Sequence, residues 1–144
     1  MPEPTSAEQR VRDSFDRQGL MRTLGASIAS VAPGAVEIRL QPRDDLGQQH
    51  GYLHAGAVIA VMDSACGYAT LSLVDEPDEV LTVELKANLL APAGGGELRA
   101  RGRVLRAGRT LTVCQGDAFI DAPDGEMHVA TALVTIIRAT PKAT

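Results

Sequence analysis

The feature that most constrains the fold is an apolar run of small side chains from Ala55 to about Val74. It is long enough for a helix of about five turns, and apolar residues occur nearly all round that helix. Such a helix must be covered by protein on most sides or lie in a membrane. The run also carries a single carboxylate, Asp63, close to its middle.

A membrane span is the less favoured of these two interpretations. Asp63 would cost about 2.5 to 3.5 kcal/mol at the centre of a bilayer. Most of the other residues are Gly, Ala, Ser, Thr and Cys, and no excess of Lys or Arg marks one flank. We therefore expect a helix covered by protein and no membrane contact. No basic segment followed by an apolar stretch stands at the N-terminus, so we also expect a cytoplasmic location.

The cover is predicted to be antiparallel β-sheet. Before the apolar run, a turn at Pro33-Gly34 joins two segments, and residues 36–40 of the second alternate between apolar and charged. After the run, a long alternating strand follows Pro77, and two hairpins turn near 107–109 and 122–126. The alternation places five apolar residues on one face of the long strand: Leu81, Val83, Leu85, Ala87 and Leu89. The predicted fold class is α+β, with an antiparallel sheet of two and then four strands wrapped around one long central helix.

The length of the chain favours a single domain over residues 1–144. A capping pattern and apolar spacing predict a short amphipathic helix from about Ser6 to Arg17. We therefore divide the domain into an N-terminal helical segment, 1–20, the main body, and a tail, 139–144.

Charge and cysteine content exclude several functions. With 14 Lys and Arg against 18 Asp and Glu, the net charge is -4, which argues against binding to nucleic acid. Cys66 and Cys114 lie in apolar segments without the spacing of a zinc site or a disulfide framework. We expect both to be reduced, buried thiols and expect no metal site.

Asp63 is the first candidate for catalysis. No Lys or Arg lies within four residues of it, and a buried carboxylate is costly unless it is paired or functional. The alternative is a structural acid satisfied by backbone or hydroxyl groups. The composition of the run favours the functional interpretation.

The front of the helix is a second candidate site. The backbone N–H groups of Ala55 and Gly56 have no acceptor inside the helix, and the helix dipole adds positive potential there. Such donors can stabilise an oxyanion. Gln48 and His54 bring further polar groups to the same place.

The spacing of these two sites predicts a homodimer. Ala55 and Asp63 are eight residues apart, or about 12 Å along a helix. One helix therefore cannot supply both groups to one carbonyl. If both act on one substrate, they come from two subunits related by a two-fold axis, which makes two identical sites.

The motif formed by Gln48, His54-Ala55-Gly56 and Asp63 resembles that of the hotdog-fold acyl-CoA thioesterases, in particular the PaaI-type (phenylacetyl-CoA thioesterase-like) branch. The signature is an amide residue, a His-Gly-Gly six residues later, and an acid nine residues after the His. The segment 81–111 resembles the second half of these proteins. The resemblance implies a hotdog fold, hydrolysis of an acyl- or aryl-CoA to the free acid and CoA, no metal or redox cofactor, and a dimer that pairs into a tetramer.

The resemblance also implies roles for individual residues. Asp63 would be the catalytic carboxylate, acting as nucleophile on the thioester or as base for a water. The N–H of Ala55, with Gly56 beside it, would polarise the thioester carbonyl. Gln48 would position the thioester or the water. His54 would order the loop and contact substrate, with a purely capping histidine as the alternative.

Three further positions match less specific features. Thr82 matches a hydroxyl that orients water near the acid, although an exposed strand threonine is equally compatible with the pattern. Arg109, and less clearly Arg106, match basic positions expected to bind the CoA phosphates. Arg99, Arg101 and Arg103 share one strand face and are interpreted as a solvated surface.

The motif departs from the signature at Ala55, which stands where the first Gly is usual. The backbone N–H is kept, so the oxyanion site can form unless that position requires a positive φ. Two other functions stay open. One is a hotdog hydratase or dehydratase that pairs the acid with His50 or His54, and the other is a non-catalytic acyl-CoA binding module.

Overall fold

A computed structural model describes residues 2–142. The elements in chain order are α1 (Ser6–Arg17), α2 (Gly19–Leu24), β1 (Ser27–Ala32), β2 (Ala35–Leu40), a 3-10 turn (Asp44–Leu46), α3 (Ala55–Leu71), β3 (Glu79–Leu89), β4 (Leu98–Ala107), β5 (Leu111–Ala122) and β6 (Gly125–Ala139). The strands form one antiparallel sheet in the order β1-β2-β4-β5-β6-β3. The predicted α+β class and the sheet around a central helix are confirmed.

Several predicted boundaries differ from those in the structure. Helix α3 ends at Leu71 and not near Val74, because the chain turns at Ser72, whose hydroxyl donates to Ala69 O. Helix α2 was not predicted. The predicted tail begins inside β6, which reaches Ala139, and residues 143–144 of that tail lie outside the described residues. No helix in residues 2–142 is long and apolar enough to cross a membrane.

Helix α3 rests directly on a pair of glycines in the sheet. Gly102 of β4 and Gly116 of β5 are cross-strand neighbours. A Cβ at Gly102 would lie 2.4 Å from the carbonyl carbon of Ala65, and one at Gly116 would lie 3.1 Å from Cys66 Sγ. The absence of side chains at these two positions lets the helix backbone approach the sheet more closely than ordinary packing allows.

Helix α1 covers another side of α3. Val11 and Phe15 are buried, and the Phe15 ring meets the Tyr68 ring edge-on with centroids 5.8 Å apart. The Arg10 guanidinium donates to the carbonyl of Val74 at 2.6 Å and to that of Asp78. These contacts attach α1 to both α3 and the loop that leads into β3.

Strand β3 is one of the two edges of the sheet, opposite β1. A β-bulge in it changes which side chains face the helix, so the predicted alternation was wrong. Thr82 pairs with Ile136 and Glu84 pairs with Thr135, so Val83 is an extra residue. Residues paired across antiparallel strands point to the same face, and Ile136 is buried under the helix. The five apolar residues therefore do not share one face, because Thr82, and not Leu81, points towards the helix before the bulge.

Strand β3 exposes several apolar side chains alongside charged and polar ones. Leu81 is 63% exposed and Val83 is 55% exposed, and Leu85 and Leu89 are exposed as well. Exposed apolar edge strands are sites at which another strand can add to a sheet.

Candidate active site

Asp63 lies in the middle of α3 and is partly buried. Its Oδ1 accepts a hydrogen bond of 2.7 Å from Thr82 Oγ1. The bulge at Val83 brings this hydroxyl to the helix side of β3. Asp63 and Thr82, which were predicted to lie on a helix and on a strand, are thus in direct contact.

The carboxylate opens into a pocket of about 330 Å³. Its walls come from α1, α3 and the start of β3. Among residues 2–142, no Lys, Arg or His forms an ion pair with Asp63. Asp63 thus has a hydroxyl partner and no cationic one among these residues, and a hydroxyl partner is also what the structural alternative for this acid predicted.

His54 caps the N-terminus of α3. Its Nδ1 accepts a 2.8 Å hydrogen bond from the Gly56 N–H, and its carbonyl accepts from the N–H groups of Ala57 and Val58. A Cβ at Gly56 would lie 3.0 Å from that ring nitrogen, so glycine makes room for the imidazole. An accepting Nδ1 in a neutral ring leaves the proton on Nε2, which can donate to a ligand.

The free donor at this helix end is the N–H of Ala55. The Gly56 N–H is occupied by His54, whereas the Ala55 N–H makes no hydrogen bond within residues 2–142. No residue other than glycine has a positive φ in that same range, so Ala55 needs none of glycine's freedom. Alanine in place of the usual glycine therefore keeps the donor without backbone strain.

Gln48 orders the loop before the helix. Its Oε1 accepts from the N–H groups of His50 and Tyr52, and its own N–H donates to Tyr52 O at 2.8 Å. The Nε2 amide is left as a donor. Gln48, His54 and Ala55 line a second pocket of about 650 Å³, together with residues 89–93.

The two halves of the candidate site are separate in one chain. The pocket at Ala55 and the pocket at Asp63 share no lining residue. They are linked by two elements, since α3 and β3 both run from one pocket to the other. The separation expected from the helix spacing is thus present in the folded chain.

The candidate CoA-binding arginines lie apart from both pockets. Arg109 is in the β4–β5 turn and Arg106 is near the end of β4, and both side chains are exposed. The β4–β5 turn is at the same end of the sheet as the start of β3, because Leu111 and Leu81 both pair with Ile137. A single chain does not bring either arginine to Asp63.

The neighbouring arginines of β4 have structural partners. Arg99 pairs with Glu37, Glu97 and Asp121, and Arg101 pairs with Glu37 and Glu126. The hydrogen bonds that Arg101 donates to the carboxylates of Glu126 and Glu37 raise the pKa of its guanidinium. These ion pairs agree with a solvated surface on the outer face of the sheet.

Sequence reasoning missed the contribution of α1 to the acid pocket. Ser14 and Gln18 line that pocket beside Asp63. A signal was present only for Ser14, which lies in the predicted helix, because Gln18 follows the predicted helix end at Arg17. The cysteines behave as expected, since Cys66 and Cys114 are free and buried. No cluster suited to a metal ion occurs in residues 2–142.

Comparison with protein families gives a direct match. The model of the thioesterase superfamily aligns with residues 50–125, which include the loop, the central helix and strands β3 to β5. The chain belongs to the thioesterase superfamily. The predicted enzyme class of this thioesterase, a thioester hydrolase, is confirmed.

Known proteins similar to this thioesterase agree with the assignment. A crystal structure of a thioesterase family protein from Silicibacter pomeroyi is 46% identical, with a TM-score of 0.92, covering 94% of this chain and 100% of that one. A 1,4-dihydroxy-2-naphthoyl-CoA hydrolase from Listeria monocytogenes is 30% identical over 66% of this chain and 77% of its own. The PaaI protein of E. coli shares the fold, with a TM-score of 0.84 at 19% identity over 96% of each chain.

Proposed function

We propose that this thioesterase hydrolyses an acyl- or aryl-CoA to the free acid and CoA, with Asp63 as the catalytic carboxylate. The observation that carries the proposal is the Asp63 carboxylate, held by Thr82 and facing a pocket without a cationic partner. A carboxylate in that setting is available to attack a carbonyl carbon or to take a proton from water. The CoA ester named for the Listeria relative supports the substrate class.

The complete site is proposed to form between two subunits. Val80, Leu81 and Thr82 border the acid pocket, whereas Leu89 borders the pocket at the helix N-terminus. If two β3 strands paired antiparallel about an axis near Leu85, residues 80–82 of one copy would lie beside residues 88–90 of the other. That pairing covers the apolar edge and brings Ala55 of one copy near Asp63 of the second.

In this arrangement each residue has a defined task. The Ala55 N–H and the helix dipole stabilise the negative charge that develops on the thioester oxygen. The Gln48 amide and the Nε2–H of His54 are further donors at the same end. If Asp63 attacks the carbonyl carbon, the CoA thiolate leaves, and water then hydrolyses the acyl–Asp63 anhydride to the free acid and supplies the proton that the thiolate takes up. If Asp63 is instead the base, it takes a proton from the attacking water and passes it to the departing CoA thiolate. Thr82 holds the carboxylate and orients the water.

Binding of CoA and the larger assembly are proposed from surface features. Arg109, with Arg106 as the second candidate, would contact the CoA phosphates once the subunits pair. Leu111, Val113 and Leu133 expose apolar side chains on the outer face of the sheet, where two dimers could meet as a tetramer. The cytoplasmic location stays a prediction.

The test is turnover of a panel of acyl- and aryl-CoA esters, followed by release of free thiol. We expect hydrolysis of at least one ester, a loss of 100-fold or more in kcat for Asp63→Asn, and no change for the charge-matched Asp124→Asn in the β5–β6 turn. A hydratase would instead add water to an enoyl-CoA without thiol release. Saturable binding of every ester without turnover would show a binding module and refute the proposal.

A further inference from the structure

A polar wall borders the acid pocket beside Asp63. Ser14 reaches it from α1, Gln18 from the residue that follows α1, and Ser64 and Tyr68 from α3. The pocket volume of about 330 Å³ is in the range of small-molecule sites. A pocket for a plain hydrocarbon chain would be lined by apolar groups. Four polar side chains in the wall therefore indicate a different kind of ligand.

The wall is held together by a side-chain network. Gln18 Oε1 accepts from Ser64 Oγ at 2.9 Å, and Gln18 Nε2 donates to Tyr68 Oη at 3.0 Å. Ser14 Oγ is 3.3 Å from the same Tyr68 oxygen. Gln18 itself sits at the junction of α1 and α2, where its N–H donates to Phe15 O. Its side chain therefore has a fixed position beside the pocket.

The network leaves donors unused. A glutamine amide has two N–H donors, and only one is occupied by Tyr68 within the described residues. The Tyr68 oxygen accepts from Gln18 and lies within hydrogen-bond distance of Ser14 Oγ; either hydroxyl of that pair can donate to the other, so one of the two hydroxyl protons has no acceptor among residues 2–142. Tyr68 is buried, so the pocket is the opening through which a ligand would meet these donors.

A path connects Asp63 to this wall. Gly67 is one helical turn after Asp63, about 6 Å along the axis. Apart from its chain neighbours and the backbone of its own helix, no described atom lies within 4 Å of the position that a Gly67 Cβ would occupy, so the space above it is open. An acyl group with its carbonyl at Asp63 would cross Gly67 and end at Gln18 and Tyr68. That length corresponds to roughly one six-membered ring.

We propose that Gln18, supported by Ser14, Ser64 and Tyr68, is a specificity-determining residue that selects acyl groups with a hydrogen-bond acceptor, such as a hydroxyl or carbonyl oxygen, at the end away from the thioester. The inference rests on the proposed function of Asp63. A group without such an atom would bury the donors unpaired, which disfavours it strongly.

The test compares two CoA esters of equal length, para-hydroxybenzoyl-CoA and para-methylbenzoyl-CoA. We expect the wild type to prefer the hydroxyl ester at least tenfold in kcat/KM, and Gln18→Leu to reduce that ratio by about tenfold or more. Gln9→Leu is the matched control, since Gln9 is exposed on α1 and lines no part of the acid pocket, and it should leave kcat/KM for both esters unchanged. Gly67→Val should lower kcat/KM for both esters by filling the path.

Binding measurements distinguish a failure of this inference from a failure of the proposed function. In the Asp63→Asn background, calorimetry should show the same preference for the hydroxyl ester, whether or not the wild type turns over either one. If Gln18→Leu fails to fold, Tyr68→Phe tests the same wall, because it keeps the ring packed on Phe15 and removes the hydroxyl. The inference would be overturned if the wild type had the same kcat/KM for the two esters. It would also be overturned if Gln18→Leu and Tyr68→Phe both left the ratio of the two kcat/KM values unchanged.

Discussion

Thr82 Oγ1 donates a 2.7 Å hydrogen bond to Asp63 Oδ1, and this contact depends on an irregularity in the strand. In a regular strand continued from Leu85, Thr82 would point away from the helix. The extra residue at Val83 reverses the alternation and turns the hydroxyl towards the carboxylate. Bulges commonly redirect a side chain beside an active site.

Removing the Thr82 hydroxyl should reduce catalysis without unfolding the protein. Thr82→Val keeps the shape of the side chain but leaves the Asp63 carboxylate without its donor. A hydrogen bond to a charged group is worth about 1.5 to 3 kcal/mol, so kcat should fall about 10- to 100-fold. Steady-state kinetics with the best ester of the panel measures the loss.

Serine at position 82 is the matched control for that experiment. Thr82→Ser keeps the hydroxyl and should recover most of the rate. If the valine variant were as active as the wild type, Thr82 would be an ordinary exposed strand residue, the alternative that the sequence left open.

Mixing two inactive variants should restore activity if the site is shared between subunits. Ala55→Pro removes the N–H donor at the first helical position, where proline is tolerated, and His54 already has the extended conformation that precedes proline. Asp63→Asn removes the carboxylate. After the two are unfolded together and refolded, heterodimers have one site with both defects and one intact site.

The expected recovery is about a quarter of the wild-type sites, because random pairing gives about half heterodimers with one intact site each. Each variant refolded alone is the control. A mixture no more active than its components would mean that Ala55 and Asp63 do not serve the same site from different subunits.

A side chain at Gly102 should destabilise the fold. Gly102→Ala places a Cβ 2.4 Å from the backbone of Ala65, which cannot move aside as a flexible side chain could. We expect a loss of about 3 kcal/mol or more in the free energy of unfolding, measured by urea titration. Gly19→Ala, at a helical position with nothing within 4 Å, should change stability by no more than about 1 kcal/mol, in the stabilising direction.

The Cys66 thiol should make stability depend on alkaline pH. The hydrogen bond with Cys114 and, to a smaller extent, burial both raise the pKa of the Cys66 thiol. The unfolded thiol ionises near pH 8.5, so the free energy of unfolding should decline as the pH rises above about 8.5. Cys66→Ala should reduce the decline, and iodoacetamide at pH 8 should label neither cysteine before unfolding. Rapid labelling of the native protein would contradict this.

Much of the fold was predictable because its signals are local. The small, apolar composition of α3 required a cover, and the alternating segments could supply it. The predicted bounds of α1 match the structure, although its N-cap is Thr5, which accepts from the Glu8 N–H, and not Ser6 as the capping pattern implied. In contrast, the bulge at Val83 has no clear local signal, since the apolar alternation continues through it, and it is defined only by pairing with β6.

The candidate site was predicted only in part, because some of its features follow from local sequence and others depend on tertiary packing. The spacing of Ala55 and Asp63 follows from helix geometry alone, and it predicted two separate half-sites. Which N–H is free could not be predicted, because the contact of His54 with Gly56 depends on the direction of the imidazole ring. Likewise, the place of Gln18 beside Ser64 depends on how α1 packs across α3.

The pair Gly102 and Gly116 under α3 affects which substitutions can alter the position of the helix. A helix that rests on side chains can be raised or tilted when those side chains are replaced, but α3 rests on bare main chain at Gly102. The depth of Asp63 is therefore set by the peptide backbone itself and not by the size of any neighbouring residue. Substitutions in α1 can reshape the space in front of the carboxylate while the carboxylate stays in place, so the chemistry and the choice of substrate can vary independently.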